Sequence, residues 1–102
     1  MSTGSTQPFR PAGTVSVTAS TTAQSVALVG GGNAVLIYNA TNAVAFFRLG
    51  GATGLSVTLN DTPLPPGGRM LVGSGPFVSN AEVILSTGTG MVYFTLGDGD
   101  TY

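Results

Sequence analysis

The 102-residue chain contains no histidine, lysine, cysteine or tryptophan. Without them the usual general base, Schiff-base amine, thiol nucleophile and zinc ligands are missing. The chain is therefore read as non-enzymatic, with no cofactor, no metal and no small-molecule substrate. The missing cysteines also mean that no disulfide can substitute for a small core, and they leave the redox compartment open. Charge is scarce as well: three Arg, three Asp and one Glu give a net charge of −1. With no basic patch to neutralise phosphates, nucleic acid and anionic membrane surfaces are not expected partners. Long apolar runs are absent too. The longest, Ala34 to Tyr38 and Ala43 to Phe47, fall far short of the about 20 residues that a spanning helix needs. The polar opening Met1-Ser2-Thr3-Gly4-Ser5 lacks the cationic start and apolar stretch of a secretory signal.

What the chain has instead is glycine, hydroxyls and apolar residues. There are 16 Gly and 23 Ser plus Thr, 42% of residues are apolar and only 7% charged, and mean hydropathy is +0.37. A soluble monomer of one domain normally carries about a quarter to a third of its surface as charged residues. The apolar surplus is expected to face other protein chains, which makes the protein a subunit of an assembly.

Residues 1–13 hold Pro8, Pro11 and several small polar residues, a composition that disfavours helix. They are read as an extended N-terminal arm, with Gln7, Pro8, Phe9, Arg10 and Pro11 as the segment that hooks onto a neighbouring subunit. Residues 14–102 are read as one β-domain. From Thr14 on, apolar and polar residues alternate at period two, broken by Gly, Asn, Asp and Pro at short intervals. Strands are expected around Val15 and Val17, around Val26 and Leu28, and over Ala34–Tyr38, Ala43–Leu49, Leu55–Leu59, Arg69–Val72, Glu82–Leu85 and Met91–Leu96. About eight short strands with turns every 8–12 residues and no helix mark an all-β antiparallel sandwich, a jelly roll or a small barrel.

Alternation also sorts the faces. Val35, Ile37, Ala45, Phe47, Val83, Leu85, Val92 and Phe94 form one set. Opposite them lie Leu36, Tyr38, Val44, Phe46, Arg48, Ile84 and Tyr93, where a wet face would carry mostly polar residues. Either the chain covers this second set itself, or the set is a self-association or partner face with Phe46 and Tyr93 as aromatic anchors.

Few constellations suggest chemistry. Asp98-Gly99-Asp100 supplies too few oxygens for a calcium loop and reads as a turn. Asp61 and Glu82 are the only acids that could form a hydrolase pair. Asn39 and Asn60 head glycosylation sequons but read as turn formers. Gly30-Gly31-Gly32 has no Lys or helix after it, so it is no phosphate cradle. Arg48 and Arg69 read as local partners for Glu82, Asp61 or a carbonyl. Spacing gives no sign that Tyr38, Tyr93 and Tyr102 gather as a sugar-binding groove would require.

The succession of Asn39, Ala45-Phe46-Phe47-Arg48-Leu49-Gly50, Asp61-Thr62-Pro63-Leu64-Pro65-Pro66-Gly67 and Met91-Val92-Tyr93-Phe94-Thr95-Leu96-Gly97-Asp98-Gly99 resembles small tailed-phage head decoration, or cement, proteins. The resemblance implies a jelly-roll-like domain that stabilises the outer surface of a phage head. Its partners would be the major capsid protein, whose subunits it bridges, and itself, as a dimer or trimer. Pro65-Pro66-Gly67 and Gly97-Asp98-Gly99 carry over as fold markers only. A tail- or fibre-associated or glycan-binding module is the alternative.

Overall fold

A computed structural model describes residues 9–51, 57–59, 61–73 and 78–99. Among these the chain is all-β, with eight strands and no helix: β1 Arg10–Ala19, β2 Gln24–Ala27, β3 Ala34–Asn39, β4 Ala45–Gly50, β5 Thr62–Leu64, β6 Arg69–Gly73, β7 Asn80–Leu85 and β8 Gly90–Asp98. They form two four-stranded sheets, ordered β1-β8-β3-β6 and β2-β7-β4-β5. Every pairing is antiparallel.

The inward set is the one that alternation selects. Val35 and Ile37, Ala45 and Phe47, Val83 and Leu85, and Val92, Phe94 and Leu96 join Leu64, Ala19 and Ala81 in a single buried cluster. Both sheets contribute to it, so the architecture is sandwich-like. Phe94, Ile37, Leu64 and Leu85 are at most 1% exposed, and side chains buried this fully contribute about 1.5–3 kcal/mol each.

Two elements differ from expectation. Of the strand expected over Leu55–Leu59, Val57, Thr58 and Leu59 form none and Leu55 and Ser56 lie outside the described residues; the short β5 lies later, at Thr62–Leu64. Pro63 is accommodated because β5 is the last strand of its sheet, where a missing N–H donor faces no neighbour. The second difference is at the start of the chain. Arg10 and Pro11, expected in the arm, open β1, with Arg10 opposite Asp98 and Pro11 opposite Gly97 in register. This Pro too is tolerated because β1 is an edge strand, and the register shifts between Pro11 and Gly13. Phe9 is half-buried; Gln7 and Pro8 lie outside the described residues.

The turns are fixed by specific polar groups. Asn39 is fully buried at the end of β3. Its Nδ2 donates to the carbonyls of Ala43 (2.8 Å), Leu64 (3.0 Å) and Pro65 (3.2 Å). Its Oδ1 accepts from the Thr41 amide (3.0 Å) and hydroxyl (2.6 Å). One amide side chain thus ties the β3–β4 turn to the β5–β6 turn. In the latter, Gly68 N–H donates to Pro65 O at 2.9 Å and Gly67 has φ of 72°, the arrangement of a type II turn. Where the chain passes from β2 to β3, Gly32 (φ 137°) lies against the backbone of Gly97, and a Cβ there would strike the Gly97 carbonyl.

Candidate binding face

In β3 and β8, Val35, Ile37, Val92 and Phe94 point inward, so Leu36, Tyr38, Tyr93 and Thr95 stand on the outer surface of the first sheet. Register aligns them in rows that cross all four strands. One row runs Ser16, Tyr93, Tyr38, Arg69; the next runs Thr14, Thr95, Leu36, Leu71. The rings of Tyr38 and Tyr93 stack with centroids 6.1 Å apart and planes 20° from parallel. Beside them the Thr14 and Thr95 hydroxyls meet at 2.9 Å. Thr14, Leu36, Tyr38, Gly67, Arg69, Tyr93 and Thr95 line an open groove of about 490 Å³. Among the described residues, its lining carries one cation, Arg69, and no carboxylate.

The outer surface of the second sheet is different. Phe46 sits between Ile84 and Pro63, and Arg48 lies opposite Glu82. Val57, Thr58 and Asp61 fold back over this side. Glu82, 7% exposed, accepts the Val57 amide at 2.6 Å through Oε1. Asp61 accepts Arg48 Nε and Nη2 on Oδ1, at 3.0 and 2.8 Å, and the Thr58 amide on Oδ2 at 2.8 Å. The Thr58 N–H, followed by Arg48, holds the Asp61 carboxyl below its ordinary value, because both stabilise the ionised form. Asp61 and Glu82, the candidate hydrolase pair of the sequence, each hold backbone of the same returning segment. Arg48 has the local partner expected of it.

The seven residues read as one outer face are therefore not one surface. Leu36, Tyr38 and Tyr93 lie on the first sheet; Phe46, Arg48 and Ile84 lie on the second, on the other side of the core. Val44 belongs to neither. It is half-buried in the β3–β4 connection, before β4 begins, and its carbonyl accepts the Ser86 amide at 3.0 Å. Alternation shows which side of a strand a residue occupies, not which sheet the strand joins. Tyr38 and Tyr93 do gather, contrary to the reading from spacing; β3–β8 pairing makes neighbours of residues far apart in the chain. Asn39 is a turn former as read, and its complete burial leaves no side chain for a glycan on the folded domain. Asn60, Asp100 and Tyr102 lie outside the described residues.

These features define a class: an all-β, sandwich-like domain with an open tyrosine- and threonine-lined face. Compared with protein-family models, curated proteins and solved structures, the chain matches none.

Proposed function

We propose that the chain is a structural, non-enzymatic jelly-roll subunit that decorates a tailed-phage head, bridging major capsid protein subunits on its outer surface and associating with itself as a dimer or trimer. The observation that carries this reading is strand order. A sheet ordered β1-β8-β3-β6 against one ordered β2-β7-β4-β5 is the pattern left by wrapping a long antiparallel ribbon around a core, as in the jelly rolls of viral capsid and lectin domains. The resemblance in the turns and closing strand points the same way. Low charge fits contacts that are mostly apolar and backbone-mediated, with each added capsid contact raising affinity through effective concentration. Of the hook residues expected from sequence, Gln7, Pro8 and Phe9 precede β1 and would make the capsid contact.

The test is binding of purified protein to mature heads stripped of their own decoration, read by co-sedimentation and by head survival under heating. Saturable binding with a higher rupture temperature supports the proposal; no binding to intact heads refutes it. Removal of residues 2–8 should weaken attachment while leaving the melting temperature of the domain unchanged.

The stacked Tyr38 and Tyr93, flanked by hydroxyls in an open groove, favour a second reading: a module that binds uncharged saccharide, with a sugar ring packed on the tyrosines. A glycan array separates the two. A signal abolished by Tyr93→Ala supports saccharide binding, and a blank array rejects it.

A further inference from the structure

A sandwich of two open sheets has four edge strands, and three of these are poor templates for another strand. β2 has four residues; β5 has three, one of them Pro63; β6 has five and begins with exposed Arg69. Short length, proline and charge are the devices that keep edges from pairing. The fourth edge, β1, is ten residues long, and after Pro11 it carries neither proline nor charge. Its ladder to β8 occupies one side. Among the described residues, no backbone hydrogen bond outside that ladder involves a β1 residue. Val29 and Gly30 lie against Gly13 and Ala12, and β2 lies close to β1, but among the described residues only β8 forms a backbone ladder with residues 14–18.

That stretch reads Thr14-Val15-Ser16-Val17-Thr18, the same in both directions. Two copies placed antiparallel about a two-fold axis at Ser16 would set Thr14 against Thr18, Val15 against Val17 and Ser16 against itself. Threonine pairs and β-branched pairs are favourable cross-strand neighbours. The interface would be isologous, as a two-fold dimer requires. Val15 and Val17, packed against the core yet only partly buried, would gain cover from their counterparts.

We infer that β1 is a homodimerisation edge: its palindromic segment 14–18 pairs antiparallel with the same segment of a second copy, joining two first sheets into one continuous sheet. The inference deepens the self-association in the proposed function and fixes its order at two.

Sedimentation equilibrium tests it on the wild type and on Ser16→Lys and Ser16→Glu, each verified as folded by circular dichroism. Wild type should be a dimer. Each variant alone places like charges directly opposite and should weaken the dimer by roughly ten-fold or more; mixing the two variants should restore it. A wild-type trimer, or a dimer undiminished in both variants, overturns β1 pairing but leaves self-association standing. A monomer at about 1 mM overturns both. Should either variant fail to fold, amide exchange on wild type decides. Protection within residues 14–18 that falls on dilution supports the inference, and protection independent of concentration overturns it.

Discussion

Replacing Asn39 with Ala removes one fully buried side chain and five hydrogen-bond contacts. Not all the partners are left stranded. Pro65 O keeps the Gly68 amide, and Ala43 O keeps the Thr41 hydroxyl at 3.0 Å. The Thr41 amide, however, loses its acceptor, and Leu64 O loses a donor. A buried polar group deprived of its partner costs about 1–3 kcal/mol, so the two together cost about 2–6 kcal/mol. Against a total stability of about 5–15 kcal/mol, that is a large fraction. In a domain of this size it lowers the melting temperature by about 10–25 °C.

Urea unfolding followed by tyrosine fluorescence and circular dichroism measures the change directly. The chain has no cysteine and its described residues share one core cluster, so a two-state treatment applies. Two companions test the mechanism and not only the size. Asn39→Asp keeps the shape but aims a carboxylate oxygen at three carbonyls, so at neutral pH it should be worse than Asn39→Ala. Its folded pKa would lie above the unfolded value of about 3.9, so its penalty should grow as pH rises from there and fade as pH falls below it. Thr41→Val removes the other half of the network, so the double variant Asn39→Ala/Thr41→Val should cost less than the sum of the singles. A loss below about 1 kcal/mol for Asn39→Ala would refute the reasoning, since the amide would then be replaceable by water.

Asp61 predicts acid sensitivity of defined sign. Its folded pKa is lowered from 3.8, so its contribution is full above that value and is lost as pH falls through the lower folded one. The urea midpoints of wild type and Asp61→Asn should converge as pH falls below about 4, and a constant gap would contradict the linkage. Gly31 and Gly32 make a matched pair: a Cβ at Gly31 meets nothing within 4 Å, while Gly32 combines positive φ with the Gly97 backbone. Gly31→Ala should change stability by less than about 0.5 kcal/mol and Gly32→Ala should cost about 2 kcal/mol or more, again by urea midpoint.

What could be read in the sequence was what is local. Period-two alternation gave the inward set because each strand exposes one side to the same core. It failed at β5, where three residues with a central Pro63 carry too little pattern and are specified by pairing with β4. It failed again for the tyrosines. Tyr38 and Tyr93 meet through β3–β8 register, and Glu82 is buried because Val57, distant in sequence, reaches over it. Asn39 could be read as a turn residue, but not as the link between two turns, since Leu64 and Pro65 arrive from another part of the chain.

The shortage of charge has a structural counterpart that is not an exposed oily face. Among the described residues only Val29, Tyr38 and Leu59 are large apolar side chains classed as exposed. Phe46, Ile84 and Tyr93 are half-buried, screened by neighbours on adjacent strands. What occupies the surface in place of charge is hydroxyl, as in the Thr14, Ser16 and Thr18 row of β1. Burying a hydroxyl that finds a hydrogen bond is far cheaper than burying an ion. Such a surface stays wet when alone and dries at small cost when a complementary backbone or apolar face arrives. Association through it should gain little from long-range steering and should be nearly indifferent to added salt, since no ion pair is being screened. A β1-paired dimer that dissociates as ionic strength rises would contradict that account of why the chain carries so few charges.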